Sequence, residues 1–313
     1  MLQAAALSLG CRWLDPRRAR AWAVAGLGRP TQLVLTRTHA FVLETRGRGV
    51  APASVLRLAL DEDAPLARAV VTEPRGLRAF AVSGDTVFWA TDAGDALCAA
   101  RHTAPSEPHA LATRPGGFTA VQAAPDGAVL ALAHSDRSLL RITNARVATL
   151  DPGPVEAFTL DGDWVVFARG GRLWALHLGG GAPTPLCPVS GPVGALVRDG
   201  DGVFWSQVTS PRGGLTGSLH RVSRLGGAPT TLATGLHDPQ SFAVAARRVW
   251  YAGAHVTPDA RFHVLGSVPR TGGPARYDES SVAIEHLACA DDRLYLLGVT
   301  RGPLLGVLRR RPA

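Results

Sequence analysis

The chain has 313 residues and a formal charge of +8, and every one of its 33 Lys/Arg positions is Arg. Apolar residues alternate with polar ones or stop at turns, so no run approaches the roughly 20 residues that a membrane-spanning helix needs. The arginines are scattered rather than gathered in a stripe and base-stacking motifs are absent, which argues against a specific nucleic-acid reader and leaves one large turn-rich unit to explain.

Taken in chain order, residues 1–19 read as a tail or degenerate leader. Leu7-Ser-Leu-Gly-Cys11 resembles a bacterial lipoprotein signal, but the segment before Cys11 is short and carries no positive side chain. As written the chain reads as cytoplasmic; a start codon placed too late would make it periplasmic or lipid-anchored. From residue 20 to 313 a single domain is expected. Ala21 to Leu35 aligns without a gap against Thr231 to Ala245, a junction between a fourth strand and the next first strand.

A phrase then recurs seven times: an apolar strand, an Asp/Gly turn, and a second strand centred on Val followed by aromatics. Its clearest copies are Phe80-Ala-Val-Ser-Gly-Asp-Thr-Val-Phe-Trp-Ala90 and Phe158-Thr-Leu-Asp-Gly-Asp-Trp-Val-Val-Phe-Ala168. The second strands start near Ala40, Val87, Val129, Val165, Val203, Val249 and Leu294, steps of 47, 42, 36, 38, 46 and 45 residues. That spacing suits four-stranded blades arranged radially. Gly-Gly-Ala-Pro turns at Gly180 to Pro183 and Gly226 to Pro229 separate third from fourth strands.

The last unit supplies only three strands, near 284–290, 293–299 and 304–310. Pairing them with the orphan N-terminal strand removes two exposed sheet edges. The expected fold is an all-β, seven-bladed β-propeller closed three plus one by the N-terminal strand; a six-bladed ring is the alternative if the Ala40 unit is padding.

The pattern Asp/Gly-x-Val-Phe/Tyr-Trp, Leu-x-Arg-Val, Gly-Gly-x-Pro-Thr-x-Leu-Ala, best preserved from Val203 to Ala233, resembles the bacterial TolB-like and YWTD-type propeller repeats. The YWTD tetrapeptide itself is never complete, and seven units exceed the six usual in that group. The resemblance implies a binding or scaffolding module, often at the cell envelope. The abundance of Ala, Gly, Pro and Arg with no Lys points to a GC-rich bacterial source.

Motifs of catalysis are missing: no Gly-x-Ser-x-Gly elbow, His-Glu-x-x-His pair, Walker loop or dinucleotide fingerprint occurs. Asp161/Asp163 and Asp199/Asp201 bracket glycines at hairpins, where turn geometry alone favours them over a metal site. A lactonase-like metal set of Glu, Asn and Asp is a poor match, because Asn144 is the one Asn and is expected in a third strand. His177, His220 and His263 recur at 43-residue steps but at different offsets from the following turn, so no ring of ligands is expected. Cys98, Cys187 and Cys289 fall in different blades without a CxxC pair and read as buried strand residues. Neither a metal nor a cofactor is expected. Trp89, Trp205 and Trp250 read as core between blades.

One asymmetry carries function. The connections between second and third strands are short in units two to four but long in unit one (46–54), unit five (207–218), unit six (253–261) and unit seven (300–303). In a closed ring these units are neighbours, so the longer loops share one side of one face, a common mark of a binding face in repeat proteins. Arg46, Arg48, Arg212, His255, Asp259, Arg261 and Arg301 form its expected rim, with His237 and Asp238 nearer the channel mouth. Arginine forks suit carboxylates, phosphates and protein hot spots. The expected function is non-enzymatic recognition of a protein or peptide partner. The alternative is a propeller hydrolase or lyase at the channel mouth, with His237 as base beside Glu73, Glu156 or Glu285.

Overall fold

The computed structural model describes residues 23–45, 52–62, 65–74, 76–92, 95–104, 106–209, 216–237, 239, 241–256, 261–280, 282–291, 293–300 and 306–312. The strand β1 (Ala23–Leu27) precedes blade 1, formed by β2 (Arg29–Leu35), β3 (His39–Thr45), β4 (Ala53–Ala59) and β5 (Arg68–Glu73). Blade 2 is β6 (Leu77–Ser83), β7 (Thr86–Thr91), β8 (Ala96–Arg101) and β9 (His109–Thr113). Blade 3 is β10 (Phe118–Ala123), β11 (Val129–Ala133), β12 (Leu139–Thr143) and β13 (Arg146–Asp151). Blade 4 is β14 (Ala157–Asp161), β15 (Trp164–Arg169), β16 (Arg172–His177) and β17 (Thr184–Pro188). Blade 5 is β18 (Val193–Asp199), β19 (Gly202–Thr209), β20 (Thr216–Ser223) and β21 (Thr230–His237). Blade 6 is β22 (Ser241–Val244), β23 (Arg248–Val256), β24 (Arg261–Pro269) and β25 (Arg276–Glu279), and β26 (Val282–Ala290), β27 (Arg293–Thr300) and β28 (Gly306–Pro312) begin blade 7.

Every blade is a four-stranded antiparallel meander, and blade 7 is completed by β1, which pairs with β28 through Ala23↔Arg309, Val24↔Leu308 and Ala25↔Val307. The unit around Ala40 is a full blade, so the ring has seven blades rather than six. Among the described residues there is no helix, and therefore none long and apolar enough to cross a membrane.

The alternating pattern of each strand directs one set of side chains to the preceding blade and the other to the next. The buried core is accordingly split into one apolar cluster per blade interface. Between blades 1 and 2, Phe41, Phe80 and Trp89 are fully buried; each contributes about 2–3 kcal/mol by leaving water. The three tryptophans expected in the core, Trp89, Trp205 and Trp250, are buried in second strands. Of the cysteines, Cys187 is buried, whereas Cys98 and Cys289 are only half-buried; Cys11 is outside the described residues.

Polar bridges repeat from blade to blade. Arg57 Nη1 in β4 donates to His102 O of blade 2 at 3.1 Å, Arg141 Nη1 in β12 to Leu178 O of blade 4 at 2.9 Å, and Arg310 Nη1 in β28 to Leu60 O of blade 1 at 2.7 Å. The Gly-Gly turns are docking points as well as turns. Gly227 N donates to Leu186 O of blade 4 at 3.0 Å, and Gly273 N to Leu232 O of blade 5 at 3.2 Å. A Cβ at Gly226 would stand 2.9 Å from Leu186 O, so glycine is needed there for the close approach as well as for its φ of +84°.

Candidate functional site

The upper face is the one onto which second-to-third-strand hairpins and blade-to-blade connections open. Its two halves differ. In blades 2, 3 and 4 the hairpins end low, and four arginines near the rim are already engaged. Arg78 Nε lies 3.1 Å from Asp92, and Arg114 Nη2 lies 2.5 Å from Asp136, whose carboxyl is held below the usual range mainly by the backbone N–H of Ser138. Arg169 pairs with the buried Asp151, and Arg137 donates to the carbonyls of Val155 and Glu156 at 2.8 and 2.6 Å.

In blades 5 and 6 the hairpins rise higher, and here the structure corrects the loop limits read from the sequence. The expected loop 207–218 shrinks to 210–215, because β19 and β20 stay paired as far as Thr209↔Thr216. The expected loop 253–261 shrinks to 257–260, because β23 and β24 pair up to Val256↔Arg261. In blade 7, β27 is described to Thr300 and β28 from Gly306. Blade 5 gains a third tall strand, since His237 pairs with Thr216. Gly217 makes this possible: a Cβ there would lie 2.3 Å from Pro239 Cδ and 2.7 Å from Gln207 O, so the connection into blade 6 rests directly on the hairpin.

The expected rim residues divide accordingly. His237 ends β21, His255 lies in β23 and Arg261 opens β24, and all three occupy the raised strand ends of blades 5 and 6. Arg46, Arg48, Arg212, Asp238, Asp259 and Arg301 lie outside the described residues.

The carboxylates of the catalytic alternative are spread over three blades. Glu73 closes the outer strand of blade 1, Glu156 stands at the entrance to blade 4, and the exposed Glu285 occupies the bulge of the inner strand of blade 7. Glu156 Oε2 accepts the N–H of Val193 at 2.9 Å and thereby ties blade 4 to blade 5.

Other candidates have structural tasks. Asp161 and Asp199 flank the left-handed Gly162 and Gly200 and hold arginines of the following blade, Arg198 at 2.8 Å and Arg270 at 2.6 Å. Asp201 holds Arg221 at 3.0 Å. His177 opposes Trp164, His220 stacks on Trp205 with ring centroids 5.2 Å apart, and His263 opposes Ala254 near the upper rim, so the three sit at different heights. Asn144 is not in a third strand: with φ of +48° it forms the two-residue turn between β12 and β13, a conformation Asn tolerates well. Among the described residues no three His, Cys, Asp or Glu side chains converge as a metal site would require.

Sequence reasoning missed the buried polar groups near the same face, among them Glu44, Gln207, Ser206 and the half-buried His286. Glu44 Oε2 accepts the N–H of Gly28 at 2.6 Å, and Gln207 Nε2 donates to Gly191 O at 3.0 Å. They sit in otherwise apolar strands, and no local pattern announces them.

No protein-family model matches the chain, and no curated protein is significantly similar to it. Solved propellers are similar in shape. The Cps50 (Swd1) β-propeller domain of Myceliophteria thermophila superposes with a TM-score of 0.65 at 12% identity, covering 91% of this chain and 99% of that one. Virginiamycin B lyase from Staphylococcus aureus gives 0.66 at 11%, covering 93% and 99%. YCF48, solved bound to a D1 peptide, gives 0.62 at 14%, covering 96% and 98%. At these identities the likeness shows the fold alone.

Proposed function

We propose that this chain is a non-enzymatic binding or scaffold module that takes a protein or peptide partner on its upper face. In this reading residues 20–313 act as one propeller module of the TolB-like, YWTD-type kind, for which the Val203 to Ala233 motif speaks. The observation that carries it is the asymmetry of the face: tall hairpins over blades 5 and 6 stand beside blades 2 to 4, where Arg78, Arg114 and Arg169 are engaged internally. A partner seated against the raised half would meet Arg46, Arg48, Arg212, His255, Asp259, Arg261 and Arg301, with His237 and Asp238 towards the channel. A propeller of the same shape, YCF48, holds a peptide, which supports the class of partner.

The test is affinity capture from the native source with the wild-type chain and an Arg212→Ala, Arg261→Ala, Arg301→Ala variant, with partners and metals identified by mass spectrometry. A stoichiometric protein captured by wild type and lost from the folded variant supports the reading. Equal capture by both removes the face assignment. A tightly held metal with His237-dependent turnover of a lactone or ester panel would replace the module by an enzyme.

A further inference from the structure

The inner strands of the ring carry a repeated position whose side chain faces the next blade. It is the residue paired with the position three residues after the start of each second strand: Gln32↔Leu43, Ala79↔Ala90, Ala120↔Leu132, Ala157↔Ala168, Ser241↔Ala252 and His286↔Leu297. Where it is polar, it bridges to the channel-side backbone of the next inner strand. Gln32 Nε2 donates to Phe80 O at 2.9 Å while its Oε1 accepts from Phe80 N at 3.1 Å. Ser241 Oγ accepts from Leu287 N at 3.0 Å.

The acceptor strand positions also correspond, since Phe80 pairs with Trp89 and Leu287 with Leu296. In blade 1 the equivalent is Leu33, paired with Val42. His286 therefore faces Leu33 across the junction of blades 7 and 1. Ala288 and Ala290, on the same side of β26, pack into the apolar cluster of that junction. Yet His286 Nδ1 is sealed from solvent and has no hydrogen-bond partner.

We propose that His286 makes closure of the ring acid-sensitive, so that the junction of blades 7 and 1 loosens before the other interfaces as pH falls. This junction joins the one blade whose four strands are not contiguous in sequence. Its charged groups give a protonated imidazole no relief. Glu44 on β3 is bound to Gly28 N, and Arg310 on β28 adds positive charge at the other end. Tyr295 of β27 lies in the apolar cluster, Arg29 of β2 is exposed, Glu285 of β26 is exposed in the bulge, and β1 has no titratable side chain.

Burial holds the imidazole well below its free value of 6.5, at about 4, and outweighs a backbone contact with Leu287 that acts the other way. The depressed value means that closure is fully favoured above pH 6.5 and weakens as pH falls towards 4. His220 is also buried and depressed, but Ser218 Oγ and Thr231 Oγ1 stand 2.6 and 3.2 Å from its two ring nitrogens and can accept from the protonated ring, so its acid sensitivity is the smaller of the two.

The experiment is hydrogen–deuterium exchange of the full chain from pH 7.5 to 4.5, corrected for intrinsic exchange and read at β1, β2 and β28 against β10 and β14. The opening constant of the junction is expected to rise more than about tenfold over that range, following from the depressed protonation of the closed state. His286→Gln should build the bridge that Gln32 makes to blade 2 and leave the junction flat with pH. Two outcomes overturn the proposal: a wild-type junction that changes no more than the β10–β14 interface, or a His286→Gln protein that loosens in acid as wild type does. If the Gln variant does not fold, His286→Ser, which copies Ser241, takes its place.

Discussion

Arg310 reaches out of the third strand of blade 7 and donates its Nη1 hydrogen to the carbonyl oxygen of Leu60 in blade 1, 250 positions away in sequence and 2.7 Å away in space. The bond is buried and lies at the junction that closes the ring. It is the third copy of a bridge that Arg57 and Arg141 make between blades 1 and 2 and between blades 3 and 4.

Arg310→Met keeps the aliphatic stem and removes the donor, leaving Leu60 O without this charged partner. A hydrogen bond to a charged group is worth about 1.5–3 kcal/mol, so unfolding in urea should begin at clearly lower denaturant. Arg141→Met, whose guanidinium is partly exposed and shares itself with Asp126, should cost less than about 1 kcal/mol. Equal losses in the two variants would show that burial at the junction has no special weight.

The Gly-Gly turns allow a sharper comparison. Gly226 and Gly180 begin equivalent turns with φ of +84° and +115°, so alanine is strained at both. At Gly226 the added methyl also meets Leu186 O at 2.9 Å, while at Gly180 nothing lies within 4 Å. Gly226→Ala should therefore lower stability by about 1–3 kcal/mol more than Gly180→Ala, the usual cost of forcing a group into packed space. Thermal unfolding of the two variants side by side reads the difference.

These residues show what could be read from the chain and what could not. Blade number and three-plus-one closure were legible, because the alignment of Ala21–Leu35 on Thr231–Ala245 exposes a strand that has lost its own blade. The Gly-Gly-Ala-Pro turns were legible as turns, since glycine's backbone freedom is local. That Gly227 docks on Leu186 was not, because the acceptor belongs to another blade. Hairpin heights in blades 5 and 6 were misjudged for a related reason. Gly217 and Gly253 look like turn residues, yet strand continuation is decided by the partner across the ladder, and Gly217 is small because Pro239 fills the space of its Cβ. The polar residues under the upper face left no periodic signal at all.

Cys187 offers a chemical probe of blade 4. Burial pushes its thiol up to about 11, so very little thiolate exists near neutrality. In the native protein at pH 8, maleimide should label Cys187 at a small fraction of the rate of a free thiol, and addition of denaturant should restore full reactivity. Mass spectrometry of quenched time points follows the site directly. Rapid native labelling would mean that the interface between blades 4 and 5, where this thiol packs, opens readily.

His220 gives the last prediction, on acid stability within blade 5. Its ring stacks on Trp205, and burial depresses its protonation below the free value of 6.5. A depressed histidine contributes stability above that value and loses it as pH falls, so the wild-type protein should weaken on acidification through this group. His220→Gln retains an amide able to bond Ser218 and Thr231 but cannot be protonated. Urea midpoints at pH 7.5 and 5.0 should show wild type losing ground to the variant at the lower pH. Because His286 is present in both proteins, its own acid sensitivity cancels in the comparison. A difference between the two proteins that does not move with pH would show that the two hydroxyls stabilise the protonated ring as well as the neutral one.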